Sequence, residues 1–257
     1  MNSPTLLARV APLALLAPFA LACTAGGDIY VESHAGSSQS SLACVVAPGE
    51  DICARSFEGI IAPEKRPAVV GALALVAEFA GIAREGRDEI TRACEAIVGG
   101  LGGTRPTGAP GAGDNMRTKA ICDAAFVAVG KVDRSSFSLG ISPSKCIDVP
   151  HPSCATKDVA PGSSCGVVGV TLTMFPGASA RAAADGVVLQ KSLATLATFK
   201  TRLDALARLT GAITANASAL ADGEACAPSA VALIGGAIEE VRISAEVSSL
   251  LVGAIAP

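Results

Sequence analysis

Aromatic side chains are scarce in this 257-residue chain, which has no Trp, one Tyr (Tyr30) and seven Phe. A β-sandwich built on aromatic cross-strand pairs is therefore disfavoured. The apolar half of the composition is supplied by Ala, Gly, Val and Leu, which suits closely packed helices and is enough for a sizeable core in one or two domains. Basic clusters are also missing. Twenty Lys and Arg lie scattered among 23 Asp and Glu, a formal charge of −3, which leaves no electrostatic footprint for nucleic acid. Histidine occurs twice, as His34 and His151, so histidine-dependent catalysis is restricted to two positions. The N-terminal apolar run, Val10–Ala22, is interrupted by Pro12 and Pro18 and falls short of the roughly 20 residues a membrane-spanning helix needs.

What the N-terminus does contain is an export pattern. Met1–Arg9 carries the α-amino group and one arginine, Val10–Ala22 is uncharged, and Ala20-Leu21-Ala22 places small residues at the two positions that flank a cleavage site. The stretch "ALLAPFALACTAGGD" (Ala14–Asp28) resembles the lipobox of bacterial lipoproteins, in which a small residue precedes a cysteine that becomes lipid-modified. It departs from that pattern by placing Leu21 at −2 and Ala20 at −3, where the family prefers the large residue at −3. The resemblance covers residues 1–28 and implies lipid attachment at Cys23, with the protein exported and held at the cell envelope, in the outer membrane or periplasm. The alternative is an ordinary secretory signal whose first mature residue is a cysteine.

The nine cysteines agree with export. Setting Cys23 aside leaves Cys44, Cys53, Cys94, Cys122, Cys146, Cys154, Cys165 and Cys226, enough for four disulfides, and none stands in the C-x-x-C arrangement of a redox enzyme. Free thiols packed as small hydrophobes are the alternative for those on helices. Cys44 and Cys53 bracket a Pro48-Gly49 turn and suggest a local bridge.

Composition and periodicity divide the chain into a signal (1–22), a polar tether (23–43) and a helical bundle (44–257) with a cysteine-containing β insert at 133–176. After Pro63 and Pro67, apolar residues recur at helical spacing: Val69, Ala72, Val76, Phe79, Ala83, Gly86, Ile90, Ala93 and Ile97, with Glu78, Glu85, Glu89 and Arg92 on the other face. A Gly/Pro loop (Gly99–Asp114) follows, with Asp114 placed to N-cap a second helix through Ala120, Ile121, Ala124, Ala128 and Val132. "SFSLGIS" and "GVTLTMF" alternate as two short strands separated by an irregular segment. A third helix spans about Ala182–Leu220. Pro228 opens a fourth, with Val231, Ile234, Ile238, Val241, Ala245, Ser248, Val252 and Ile255 on its stripe. The expected fold is mainly α: an antiparallel four-helix bundle of long amphipathic helices with a small disulfide-rich β insert. Alternating helix directions would put Cys94, Cys122 and Cys226 at one end, and if all eight cysteines pair, one bridge joins the bundle to the insert.

Motifs that could carry chemistry have plainer readings. "GSSCG" (Gly162–Gly166) matches G-x-S-x-G, with Ser164 as nucleophile, but that motif works on a sharp turn from strand to helix, and here it leads into a strand-like run. Cys146, His151, Cys154 and Cys165 have the ligand types for zinc but lack the tight pair of structural zinc modules, and export favours disulfides. The Gly-rich loop has no G-K-[ST]. Glu50-Asp51 and Glu239-Glu240 read as solvated surface pairs, and Asn216-Ala217-Ser218 as a mid-helix sequon of little meaning.

"ITRACEAIVGGLG", "KAICDAAFVAV", "SPSKC" and "EACAPSAVALI" together resemble a loosely defined group of exported helical proteins of myxobacteria, which brings no activity with it. The sequence therefore reads as a membrane-anchored, non-enzymatic envelope scaffold or interaction module without cofactor or metal. The alternatives are a carrier of lipid or another apolar ligand, using space between helices lined by small residues, and a membrane-active helical protein inserting "VVGVTLTMF".

Overall fold

A computed structural model describes residues 44–107, 113–142, 146–149, 154, 162–165 and 168–256. The expected signal and tether, Cys23 and both histidines lie outside the described residues. The chain is mainly helical, with a small antiparallel β excursion and disulfides.

The elements are α1 (Arg66–Gly100), α2 (Asp114–Val129), β1 (Phe137–Ser142), β2 (Cys146–Val149), β3 (Gly162–Cys165), β4 (Gly169–Met174), α3 (Ala180–Ala215), α4 (Ala217–Asp222) and α5 (Ala227–Ile255). Pro67 sits in the first turn of α1, where its missing N–H costs nothing. At 35 residues α1 is roughly 52 Å long and packs against α2, α3 and α5. It is long and apolar enough to cross a membrane, but most of its apolar stretch is covered by the other helices. Every residue of its expected apolar stripe, from Val69 to Ile97, is buried.

The helix directions differ from the expected alternation. Arg87 meets Asp114, Thr91 meets Thr118 and Cys94 is bonded to Cys122, so residue numbers rise together and α2 runs parallel to α1. The connection makes this feasible. Returning from Gly100 to the level of Arg87 spans 13 residues of helix, roughly 20 Å, and the segment from Leu101 to Gly113 is long enough to cover that distance. Asp114 is the first helical residue rather than the N-cap, which is Gly113. α5 is also parallel to α1, with Gly223 beside Val69 and Glu240 beside Arg87. Only α3 runs the other way, with Phe199 against Gly86, Ser192 near Ala93 and Val188 against Gly100.

Two apolar clusters are stacked along α1. One gathers Phe57, Leu73, Phe79, Leu206 and Val241, and the other Ile90, Ile97, Leu189, Leu196, Phe199 and Leu251. The third expected helix is divided at Asn216, which caps α3 and whose Nδ2 donates to Ala212 O at 2.9 Å; the sequon therefore lies at a helix junction. In α5 the buried stripe is Ala230, Ala237, Val241, Ser244, Ser248, Leu251 and Ile255, while Val231, expected inside, is exposed.

Both expected strands form and pair with each other. β1 and β4 are antiparallel, from Phe137 opposite Met174 to Ser142 opposite Gly169. Phe137 and Leu172 face Gly186 of α3, and Gln190 Nε2 donates to Val170 O at 2.7 Å, so the ribbon lies on α3. The segment between them is not wholly irregular, because β2 and β3 form a second antiparallel pair nested inside the first.

The expected local bridge Cys44–Cys53 is not made. Cys44 is bonded to Cys226, Cys53 to Cys154, and Cys94 to Cys122, with Cα separations of 5.0, 5.5 and 5.0 Å. The Pro48-Gly49 turn is instead docked on α1: Gly49 N donates to Ala77 O at 2.7 Å, and the backbone of Gly49, at φ +72°, lies against Gly81. Each arm of the turn then meets a different partner. Because α5 starts beside the start of α1, its N-cap Cys226 is next to Cys44 and far along the fold from Cys94 and Cys122. Cys53–Cys154 is the bridge that joins the β excursion to the rest of the chain.

A Cβ on Gly81 would sit 2.8 Å from Gly49 Cα, in backbone that cannot rotate away. Gly81→Ala should therefore lower stability by about 1–3 kcal/mol in denaturant unfolding. Gly235→Ala, at an exposed helical site with open space around it, should leave stability unchanged or raise it by up to about 1 kcal/mol.

Candidate functional site

The α1 sequence "AREGRDE" (Ala83–Glu89) crosses the level where the two apolar clusters meet. Arg87 lies four residues after Ala83 and three before Ile90, on the buried stripe, and its side chain is only 6% exposed. A guanidinium does not lose its proton in a protein, so burial there demands carboxylates. Three converge on it. Nε and Nη2 donate to Asp88 Oδ1 at 3.0 and 2.7 Å, Nη1 donates to Glu240 Oε1 at 2.6 Å, and Asp114 Oδ2 lies 3.4 Å from Nη2. These carboxylates come from α1, α5 and α2. At the same level Arg202 of α3 holds Glu89 at 2.9 Å and Glu85 at 3.6 Å, so all four long helices are tied together in one charged belt.

Burial pushes the Glu240 carboxyl above its usual range, against the opposing pull of Arg87 and Arg84 and with Asp88 and Asp114 adding repulsion. Arg87 is itself raised. Burial works against its charge, and the hydrogen bonds it donates to Asp88 together with the surrounding carboxylates outweigh it. Glu239, adjacent in sequence, points elsewhere and pairs with Arg242 on the surface, which lowers its pKa. The two neighbours expected to be a solvated pair thus have different roles.

Asp88 also lines a cleft of about 760 Å³ between α1 and the docked segment Pro48–Cys53. Its charged lining is Glu50, Asp51, Glu78, Glu85 and Asp88 against Arg84 and Arg92, an acidic excess. Glu50 is engaged by Arg55 at 3.1 Å and by Ala47 N at 2.8 Å, and Asp51 accepts from Cys53 N at the start of a short 3-10 turn. The lining contains no Ser, Thr, His or Lys, and its one cysteine, Cys53, is in a disulfide, so its ionisable groups are carboxylates and the guanidinium groups of Arg84 and Arg92. Three of its five carboxylates are already ion-paired within the fold, Glu50 with Arg55, Asp88 with Arg87 and Glu85 with Arg202.

The sequence motifs are placed as follows. "GSSC" forms β3, an antiparallel strand, so Ser164 is not on a strand-to-helix turn. The zinc-like set loses a ligand because the Cys154 sulfur is bonded to Cys53, and His151 lies outside the described residues. No group of three or more His, Cys, Asp or Glu placed to hold a metal occurs among the described residues. The small residues that suggested room for an apolar ligand bring helices together: Gly86 receives the ring of Phe199, and Gly100 receives Val188. Arg87 and Glu240 were missed by sequence reasoning. Their signal was a charge at an apolar spacing, Glu240 standing three residues after Ala237 and four before Ser244.

No family model, curated protein or solved structure matches this chain.

Arg87→Ala, which strands Glu240 without its partner, should cost about 3–5 kcal/mol by denaturant unfolding, and Arg87→Met with Glu240→Leu should recover much of that loss. Because the folded protein holds the Glu240 proton more tightly than the unfolded chain, this carboxyl's contribution is full below the ordinary carboxylate pKa. It declines as pH rises through the raised value. Glu240→Gln should therefore gain stability relative to wild type as pH increases across that window, measured as unfolding midpoints.

Proposed function

We propose that this is an exported, lipid-anchored and non-enzymatic protein of the bacterial cell envelope, serving as a scaffold or interaction module. The four long helices act as one bundle around α1, mixed in direction. The observation that carries the reading is the cysteine pairing. Three bridges join segments 182, 101 and 28 residues apart, a set that persists in an oxidising compartment. With two cysteines opposed in the β excursion, Cys23 is the odd one left, at the position where the lipobox-like signal puts the lipid.

The build of the described surface supports an interaction role. The open cleft between α1 and the docked segment Pro48–Cys53 gives a partner segment a preformed seat at low ordering cost. The tether of residues 23–43 gives the bundle reach of at most roughly 70 Å from a lipid at Cys23.

The test is intact mass, with thiol alkylation but no reductant, of protein recovered from bacterial membranes. The expected result is residues 23–257 plus lipid, with Cys44, Cys53, Cys94, Cys122, Cys154 and Cys226 unalkylated. Cys23→Ser should move the protein from the membrane to the soluble fraction. An unlipidated wild-type mass, or free thiols among those six, would overturn the reading.

A further inference from the structure

We propose that Cys146 and Cys165 form a fourth disulfide, which closes the base of the β2–β3 ribbon. The ribbon's register carries this. β2 and β3 are antiparallel, with Cys146 directly opposite Cys165, Ile147 opposite Ser164, Asp148 opposite Ser163 and Val149 opposite Gly162. Directly opposed residues of an antiparallel pair have Cα atoms about 4.5–5.5 Å apart, inside the span a disulfide bridges. The three observed bridges have Cα separations of 5.0 to 5.5 Å.

A further observation points the same way. The other six cysteines beyond Cys23 are already bonded to one another, so Cys146 and Cys165 have no other candidate among the described residues.

The bond forms between the two sulfurs as each thiol gives up its proton. The two electrons pass to a disulfide-bearing oxidant of the export compartment, protein or small molecule, which is reduced to its dithiol. The ring so closed contains Cys154, which is bonded to Cys53. Through Cys53 that ring is covalently joined to the segment that forms one wall of the cleft.

The experiment is non-reducing peptide mapping of the mature protein from an oxidising compartment, alkylated before digestion and cut after Lys and Arg and before Asp. These cuts separate every relevant cysteine: Cys146 falls on Cys146-Ile147, Cys154 on Asp148–Lys157, Cys165 on Asp158–Arg181 and Cys53 on Asp51–Arg55. The expected product is Cys146-Ile147 joined to Asp158–Arg181, two hydrogens lighter than the sum of the separate peptides. A second arm uses Cys146→Ser, which should expose one alkylatable thiol, at Cys165, and leave Asp51–Arg55 joined to Asp148–Lys157. Alkylated Cys146 and Cys165 in the wild type would overturn the fourth bridge while the three observed bridges stand, an outcome distinct from failure of the export reading. Either cysteine joined to any other partner would overturn it as well.

Discussion

The structure is organised around one buried guanidinium. Arg87 sits where the two apolar clusters of α1 meet, and its charge is permanent, so the fold has to bring carboxylates to it. Asp88 comes from the same helix, whereas Asp114 and Glu240 come from the starts or middles of other helices. A buried ion group of this sort adds little net free energy relative to a well-packed apolar replacement. What it excludes is any helix register that leaves one of the charges buried and alone. The axial register of α2 and α5 on α1 is tied to the same constraint, because Asp114 and Glu240 reach Arg87 only when those helices lie at that height.

Around this belt the chain is closed by cross-links between distant segments. Cys44–Cys226 fastens the region before α1 to the start of α5, Cys94–Cys122 locks the parallel pair α1 and α2, and Cys53–Cys154 draws the β excursion toward the cleft wall. Cys44–Cys226 and Cys94–Cys122 join neighbours that the helix directions create. The cleft inherits its shape from both devices, since Asp88 belongs to the charged belt and Cys53 to a disulfide.

Much of the secondary structure was legible because burial imposes a period. The α1 stripe from Val69 to Ile97 is buried throughout, and the alternating runs Phe137–Ile141 and Val170–Met174 became β1 and β4. The reading failed where a residue was assigned by class. Val231 is apolar but exposed, and Glu240 is charged but half-buried, because the burial of α5 is decided by which helices flank it. Cys44 and Cys53 looked like a local pair for a related reason. Sequence proximity favours loop closure, but docking the turn on α1 through Gly49 and Gly81 sends the two arms to different neighbours.

The sequence by itself determined that the chain would be mainly helical, where its long helices lie, which two alternating runs would be strands, and that its cysteines suit an oxidising compartment. These are local or compositional properties, set by periodicity, by breakers such as Pro67 and Gly113, and by residue counts. Only the tertiary structure decided that α2 and α5 run with α1, which cysteines meet, and that Arg87 and Glu240 share a buried site. Those are relations between segments far apart in the chain. They are settled by the need to bury apolar faces and pair a desolvated charge at the same time.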